Sequence, residues 1–298
     1  SDKKNLIPLL KVLQKNKIKI ISSGGTFEKI KNLKFKCVEV SNFTGFNEIL
    51  GGRVKTLHPK IHAGILNKRN NKVHQNDLKR NHFENIDLVI VNFYPFEKTL
   101  KKTKKHSEII ENIDIGGPTM VRAAAKNYND VTVITSSDYY DDLINELKKN
   151  KGSTSLKFRK KMSQNAFLET AYYDSVISKY LNKSSNVNFP QKKIIIGNLF
   201  EKLRYGENPH QESSIYTMSG ELGLKKLNGK ELSYNNFNDI FSALSISKSL
   251  PKNIGTVIVK HANPCGVSIK KDNLDSYKSA LSCDPISAFG GMYHVILR

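Results

Sequence analysis

The chain has 298 residues, of which 38% are hydrophobic, and its 48 basic and 27 acidic residues give a formal net charge of +21. This length corresponds to roughly two domains of ~150 residues each, and no apolar run approaches the ~18 residues of a membrane-spanning helix. The N-terminal segment is polar and then amphipathic, without the apolar core of a signal peptide. Three well separated cysteines without a C-x-x-C pair give neither a disulfide framework nor a zinc site. We therefore expect a soluble, cytoplasmic protein.

The positive charge has two interpretations. A nucleic-acid-binding protein would use it to contact phosphates, whereas a biased genome would place it without regard to a ligand. Only 7 of the basic residues are Arg, and the Lys residues are spread along the whole chain. Proteins that read nucleic acids favour Arg for its planar fork, so compositional bias is preferred and no nucleic-acid partner is predicted. Where Lys is the default cation, an Arg marks a site that needs the fork, as at Arg53, Arg122 and Arg204.

The first half of the chain alternates predicted strands and helices. The apolar spacing over residues 2–16 predicts a helix, which Pro8 in its second turn should kink or delay. Strands are predicted within residues 17–22, 35–40, 85–96 and 130–135. Helices are predicted within residues 22–33, 107–128 (with a Gly-Gly break), 136–150 and 153–181. This alternation predicts an α/β fold with a parallel sheet covered on both faces.

A polar segment at residues 184–193 contains Asn, Ser and Pro and is the predicted linker. It separates a first domain, residues 1–183, from a second, residues 194–298. In the second domain, helices are predicted around residues 237–250 and over 273–282, and a strand that runs into a loop over 253–266.

The stretch "SSGGT", residues 22–26, lies between a predicted strand and a predicted helix. Glycines let the backbone approach a ligand closely, and a helix N-terminus attracts anions. Ser22, Ser23 and Thr26 add hydroxyl groups. The alternative is an ordinary strand-to-helix turn, because a single Gly-Gly pair is a weak signal.

The stretch "GGRVKTLHPK", residues 51–60, provides a second loop suited to phosphate. Arg53 offers a bidentate fork and Lys55 a point charge. The alternative is a solvated basic loop. Ligands of open parallel sheets bind beyond the carboxyl ends of the strands, where the first loop is predicted to lie.

Two further stretches of the first domain contain candidates for catalysis. Asn92 and Tyr94 end a predicted strand, although Tyr94 could belong to the core. Asp114 precedes the Gly-Gly break and Lys126 lies on the following helix, so a carboxylate and an amine could share proton transfers in one cleft. The alternative is that Asp114 caps the helix that starts near Pro118.

In the second domain, Lys260 and His261 adjoin an Asn-Pro turn, and His titrates near neutrality as a general base should. Cys265 has no base paired with it in the sequence, so a nucleophilic cysteine is not predicted. A Pro-containing loop, "LRYGENPHQ", contains Arg204, Tyr205, Asn208 and His210. No metal is predicted, because the histidines of the first domain do not follow a known ligand spacing: His58, His62, His74 and His82.

These stretches occur together, and in this order, in one known family. The matching motifs are "ISSGGT", "TGFNEILGGRVKTLHPKIHAGIL", "NFYPF", "IDIGGPTMVRAAAKN", "LRYGENPHQ", "KHANPCG" and "DPISAFGG". The chain resembles the bifunctional purine biosynthesis family, in which 5-aminoimidazole-4-carboxamide ribonucleotide (AICAR) transformylase is joined to inosine monophosphate (IMP) cyclohydrolase. The resemblance implies a methylglyoxal-synthase-like, Rossmann-type first domain and the start of a cytidine-deaminase-like transformylase domain.

The resemblance also implies two reactions, a formyl transfer to AICAR and the ring closure of formyl-AICAR to IMP. It implies 10-formyltetrahydrofolate as co-substrate, no tightly bound cofactor or metal, purine ribonucleotide intermediates as ligands, and a homodimer. In the cyclohydrolase, the catalytic positions that match are Lys126, Lys55, Asp114 and Tyr94. The matching substrate-binding positions are Ser1, Asp2, Lys3, Ser23, Gly24, Gly25, Thr26, Arg53, Val54, Thr56, Val91, Asn92, Ile115, Gly116 and Gly117. In the transformylase, His261 matches the proton acceptor and Lys260 the transition-state stabiliser, and the matching substrate-binding positions are Arg204, Tyr205 and His210.

Compared with the family pattern, the chain is expected to be truncated at both ends. The family has a strand before the "SDK" at residues 1–3, and its transformylase region continues beyond "AFGG". We therefore expect a nearly complete cyclohydrolase and a transformylase without most of its folate site.

Two other functions stay open. A methylglyoxal-synthase-like sensor of phosphate ligands would explain residues 1–182 but not "LRYGENPHQ" or "KHANPCG". A basic RNA-binding protein would show RNA affinity that falls steeply with salt, but no RNP-type motif occurs.

Overall fold

The computed structural model describes residues 5–218, 220–252 and 254–295. The chain divides into two compact units, with the boundary between Ile194 and Ile195. Among the described residues, no helix is both long and apolar enough to cross a membrane.

The first unit is built from helices around short parallel strand pairs. Its helices are α1 (Leu6–Lys15), α2 (Gly24–Asn32), α3 (Val40–Thr44), α4 (Pro59–Leu66), α5 (Lys72–Arg80), α6 (Phe96–Lys102), α7 (His106–Glu111), α8 (Gly116–Lys126), α9 (Tyr140–Lys149) and α10 (Leu156–Ser184). Its strands are β1 (Ile21–Ser22), β2 (Val38–Glu39), β3 (Leu88–Ile90) and β4 (Thr132–Ile134).

The strands of the first unit are parallel, as the alternating pattern predicts, but they form two separate pairs. In one pair Ile21 of β1 lies opposite Val38 of β2. In the other pair Val89 of β3 lies opposite Val133 of β4. The strand predicted over residues 17–22 is therefore too long, since only its last two residues have a ladder partner.

The core of the first unit joins α1, α8, α9 and α10 to β4. Its most deeply buried residues include Leu9, Val121, Ala124, Val133, Leu143 and Met162. The small side chains of the Ala123–Ala125 run let α8 approach α10 closely, and Ser163 on α10 donates a hydrogen bond of 2.8 Å to the carbonyl of Ala125. Each fully buried aliphatic side chain contributes about 1.5–3 kcal/mol. This packing fixes α8, whose first turn belongs to the candidate site.

Three sequence predictions differ from the structure in detail. Helix α1 begins at Leu6, so Pro8 lies in its first turn and removes no hydrogen bond within the helix. Helix α8 begins at Gly116, so the two glycines are its first residues rather than a break. Helix α10 continues to Ser184, the first residue of the predicted linker.

The second unit contains α11 (Tyr234–Ser247), α12 (Asn273–Leu281) and α13 (Pro285–Ala288), and strands β5 (Asn198–Lys202), β6 (Ser214–Thr217), β7 (Thr256–Lys260), β8 (Asn263–Ser268) and β9 (Met292–Val295). Strands β5 and β6 form an antiparallel hairpin. Strand β7 lies between β8 and β9 in an antiparallel sheet. Side chains alternate along β7, so Val257 and Val259 pack against α11 whereas Ile258 packs towards α12 and α13.

The loop expected after β7 is a tight hairpin turn instead. Lys260 pairs with Asn263, and the two residues between them, His261 and Ala262, have φ angles of 52° and 62°. Such a pair of positive φ angles defines a two-residue turn whose twist matches antiparallel strands. The Asn-Pro dipeptide therefore starts β8, and Pro264 lies beside a register shift in the ladder.

Candidate functional site

The structure brings together the two glycine-containing loops that the sequence identifies separately. Ser23 to Thr26 follow β1 and open α2, and Gly24 has a φ of +52°. A Cβ placed on Gly24 would lie 3.7 Å from Lys55 Nζ. The Lys55 ammonium thus lies against the start of α2, where backbone N–H groups already attract anions. Both features favour a negatively charged ligand group at this point.

The turn before Lys55 depends on its glycines. Gly51 and Gly52 have φ angles of 65° and 90°, and they let the chain reverse within an antiparallel bridge between Ile49 and Val54. This reversal carries Arg53 and Lys55 out of the turn on either side of Val54. Val54 therefore contributes its backbone, which forms the bridge to Ile49 that closes the turn.

Both cations of this loop have carboxylate partners. The guanidinium of Arg53 binds both oxygens of Glu111, at the end of α7, and Lys55 pairs with Glu48. The hydrogen bond to Glu111 raises the pKa of Arg53, and the same contact lowers the pKa of Glu111. Both side chains of the Arg53–Glu111 pair are exposed, so water screens the pair.

Thr56 lies against the start of α8. A Cβ on Gly116 would lie 2.5 Å from Thr56 Oγ1, so a larger residue than glycine would displace the hydroxyl. A Cβ on Gly117 would collide with Asp114 Oδ2 and lie 3.0 Å from Val91 Cγ1. The close approach of Thr56, Asp114 and Val91 therefore requires glycine at both positions.

Asp114 caps α8, and its surroundings also favour a proton-transfer role. Its Oδ1 accepts a 2.9 Å hydrogen bond from the backbone N–H of Gly117. Burial raises the pKa of the Asp114 carboxyl, and the Gly117 N–H opposes part of that rise. A carboxyl with a raised pKa exchanges protons more readily near neutrality. The helix-cap alternative and the catalytic hypothesis are thus compatible in one residue.

Residues that follow β3 complete this region. The backbone N–H of Val91 donates to the carbonyl of Ile134 at 2.9 Å, and Asn92 Nδ2 donates to the hydroxyl of Tyr140 at 3.3 Å. Tyr94 is 54% exposed, so the alternative that it belongs to the core is wrong. Ile115 is exposed beside Gly116.

The structure does not bring Lys126 into this cluster. Lys126 is the last residue of α8 and is exposed, whereas Gly116 is the first. A rise of 1.5 Å per residue separates the two ends by about 15 Å. The neighbouring Asn127 donates to the carbonyls of Ile65 and Asn67 at the far end of α4. Asp114 and Lys126 therefore lie at opposite ends of α8. The predicted site residues Ser1, Asp2 and Lys3 lie outside the described residues.

Sequence reasoning did not give His62 and Tyr173 roles in this site. His62, considered only as a metal ligand, contacts the backbone of Thr56 through its ring, and burial lowers its pKa. Its Nε2 is buried without a hydrogen-bond partner among the described residues. Tyr173 accepts a hydrogen bond of 2.8 Å from the Asp114 backbone N–H. The sequence does contain a signal for His62, because it lies four residues after His58, the cap of α4, and so on the same face of that helix. It contains no comparable signal for Tyr173.

In the second unit, the candidate residues are arranged along α11. The Arg204 guanidinium lies over the Tyr205 ring, 4.7 Å from its centroid, and donates to the Tyr205 hydroxyl. The hydrogen bond from Arg204 is the main cause that lowers the pKa of Tyr205. The backbone N–H of Tyr234, at the start of α11, donates to the Tyr205 carbonyl. His210 is exposed in the same loop.

The β7–β8 turn is tied to the same helix. Asp239 of α11 accepts a hydrogen bond of 2.8 Å from the Ala262 backbone N–H. Lys260 Nζ donates to the carbonyl of Phe289 at 2.9 Å, and His261 is exposed at the tip of the turn. No group of three or more His, Cys, Asp or Glu side chains in the described part of either unit could hold a metal ion.

Known proteins match both parts of the chain. The family model "MGS-like domain" matches residues 5–119, and the family model "AICARFT/IMPCHase bienzyme" matches residues 124–296. "Bifunctional purine biosynthesis protein PurH" of Bradyrhizobium diazoefficiens is 44% identical over 98% of this chain and 56% of its own length. The PurH protein of Persephonella marina is 48% identical over 98% of this chain and 58% of its own length.

Among solved structures, "Crystal structure of ForH" is similar with a TM-score of 0.55 and 28% identity, over 61% of this chain and 93% of that one. The chain spans 56–58% of the length of the two curated relatives described above. The match to the MGS-like domain confirms the fold class predicted for the first half. The second match extends over more than half of the residues, and it places the chain in the AICARFT/IMPCHase bienzyme family.

Proposed function

We propose that the first unit closes the ring of formyl-AICAR to give IMP, the last step of de novo IMP synthesis. The observation that carries this proposal is the convergence at the start of α2 and α8. Lys55 Nζ lies at the start of α2, the hydroxyl of its chain neighbour Thr56 lies at the start of α8, and a carboxyl with a raised pKa caps that second helix. The cation and the helix starts suit a ribonucleotide phosphate, and the carboxyl suits proton transfer.

The ring closure needs orientation and proton transfer rather than a redox or metal cofactor. The carboxamide nitrogen attacks the formyl carbon, and a C–N bond forms. One proton leaves the carboxamide nitrogen and one leaves the formamide nitrogen, and both depart with the formyl oxygen as water. Because the reaction is intramolecular, holding the reacting atoms in contact supplies most of the acceleration. Asp114 is the proposed proton carrier, and Lys55, Thr56 and Arg53 hold the ribonucleotide.

In the second unit, we assign the AICAR-binding part of a transformylase. The formyl donor of this family is 10-formyltetrahydrofolate. Arg204 and Tyr205 bind AICAR, His261 accepts the proton of the 5-amino group, and Lys260 stabilises the negative charge that develops. The shared attachment of Tyr205 and Ala262 to α11 supports one site for both motifs. A homodimer, a cytoplasmic location and the absence of a nucleic-acid partner belong to the same proposal.

The role of Lys126 as proton donor or acceptor stays a prediction, and the structure sets a condition on it. Because α8 separates Lys126 from Asp114, a single small ligand group cannot contact both side chains. Lys126 takes part only if the bound nucleotide extends along α8 towards its end. The variant Lys126→Ala tests this condition directly.

The deciding experiment follows IMP formation from formyl-AICAR by absorbance, for the wild type and for Lys55→Met. Lys157→Met is the matched control, since Lys157 is also a lysine but lies exposed at the start of α10. Just before α10, the hydroxyl of Thr154 forms a hydrogen bond with the hydroxyl of Thr132, the first residue of β4. We expect IMP from the wild type and the control, and a loss of at least tenfold in Lys55→Met. No IMP from a folded wild-type sample would refute the proposal. Retained affinity for a nucleotide phosphate in that case would favour the sensor function.

A further inference from the structure

We propose that Tyr173 is a positioning residue of the cyclohydrolase site, which fixes Asp114 through its backbone so that the carboxylate keeps one orientation. The inference rests on the proposed function of the first unit. It extends that function to a residue of α10 that belongs to none of the sequence motifs.

Tyr173 is itself held rigidly. It is 6% exposed, and its ring packs against Phe93 and Phe96 with centroids 5.2 and 6.2 Å away. Burial raises the pKa of its hydroxyl, so the group stays protonated at neutral pH. Its oxygen therefore presents a fixed, neutral acceptor to the Asp114 N–H.

Asp114 is then constrained at both of its ends. The backbone N–H is held by Tyr173 at 2.8 Å, and the carboxylate Oδ1 is held by the Gly117 N–H at 2.9 Å. The Gly117 contact is local, three residues along the chain, whereas Tyr173 reaches Asp114 from 59 residues away. The long-range contact thus connects the segment between α7 and α8 to the helix that packs on the core.

Removal of the Tyr173 hydroxyl would leave the Asp114 N–H without its acceptor. The segment between α7 and α8 would then move to find water or another acceptor, because an unpaired buried donor is costly. A displacement of about 1 Å at a reacting group reduces the rate by about 10²-fold. The Tyr173 hydroxyl contacts the Asp114 backbone rather than the loops at residues 22–26 and 51–60 that are proposed to hold the substrate, so substrate affinity should change little.

The test compares Tyr173→Phe with Tyr180→Phe, which lies on the same helix. Tyr180 also packs against Phe96, but its hydroxyl contacts His106 rather than the site. The readouts are kcat and KM for IMP formation, and hydrogen exchange of the backbone amides of residues 112–117. Both variants keep the aromatic ring, and urea unfolding measures any loss of stability, so that rates refer to folded protein.

For Tyr173→Phe we expect kcat to fall about 10- to 100-fold, KM to stay within about twofold, and the Asp114 amide to exchange faster. Tyr180→Phe should match the wild type in all three. If Tyr173→Phe retains the wild-type kcat while the wild type is active, the inference is wrong and the contact is only structural. Equal losses in both variants would also overturn it. If the wild type forms no IMP, the proposed function fails and the inference fails with it.

Discussion

Replacing Gly117 with Ala tests whether the close packing around Asp114 matters for activity. An added Cβ would collide with Asp114 Oδ2 and would lie 3.0 Å from both Asp114 Cγ and Val91 Cγ1. The backbones of both neighbours are held, Asp114 by the Tyr173 hydroxyl and Val91 by the carbonyl of Ile134, so the Asp114 side chain has to yield. The carboxylate must therefore move away from the Gly117 N–H.

The size of the stability change follows from two opposing effects. Overpacking of a tight site costs about 1–3 kcal/mol. Alanine returns up to about 1 kcal/mol of helix propensity, although less in the first turn of a helix. We expect Gly117→Ala to lose about 1–2 kcal/mol of unfolding free energy in urea, and to lose at least tenfold in kcat because Asp114 is displaced.

Gly64→Ala is the matched control. Gly64 is a buried helical glycine of α4, and its added Cβ would lie 2.7 Å from the carbonyl oxygen of Glu84 and 3.1 Å from Ile86. The stability loss should be of the same order, but the clash is with residues outside the site. IMP formation per folded molecule should thus survive in Gly64→Ala. Full activity in Gly117→Ala, measured beside a destabilised Gly64→Ala, would refute the role given to Asp114.

Two further predictions concern Asp114 and Ala262. Burial raises the folded-state pKa of Asp114, so the stability it contributes is complete below its unfolded pKa of about 3.9 and is lost as the pH rises through the folded pKa. Asp114→Asn keeps an oxygen that can accept the Gly117 N–H, and it avoids that loss because the amide does not ionise. The variant should therefore be more stable than the wild type in urea at pH 7, while IMP formation disappears. Equal stability of the two proteins would contradict this account. Ala262 has a φ of 62°, a conformation that costs an L-residue about 1–2 kcal/mol, partly offset by the greater chain entropy of glycine. Ala262→Gly should therefore stabilise the chain in thermal unfolding, whereas Ala280→Gly in α12 should destabilise it. Stability changes of the same sign in both variants would contradict backbone strain at Ala262.

The sequence identified the site where its chemistry is local. The glycines and hydroxyls at residues 22–26 and the cations at residues 51–60 are recognisable in the sequence. In each loop, the residue types suited to a close backbone approach and to an anion stand next to one another in the chain. The distance between the two ends of α8, at Gly116 and Lys126, could also have been predicted from the sequence, because it follows from the length of the helix. The Asn-Pro dipeptide at residues 263–264 predicted a turn, but Lys260 pairs with Asn263, so the turn lies two residues earlier, at residues 261–262.

The parts that could not be predicted depend on distant contacts. Glu111 reaches Arg53 from 58 residues away, and Tyr173 reaches Asp114 from 59. No periodicity or spacing encodes such pairs, because they arise only when helices pack. The length of β1 was unpredictable for a related reason, since a strand extends only as far as its neighbour supplies partners.

The carboxylates of Glu111 and Glu48 change how an anion enters this site. Arg53 and Lys55 already have carboxylate partners, so under the proposed function a phosphate that binds either cation competes with a glutamate. The attraction it gains is reduced by the attraction it displaces, and the released glutamate returns to water. Affinity then depends on the difference between phosphate and carboxylate as partners, which favours a dianion over a monoanion. Under the proposed function, the loop would therefore favour ligands of high charge density, because Glu111 and Glu48 compete with the ligand for the same two cations.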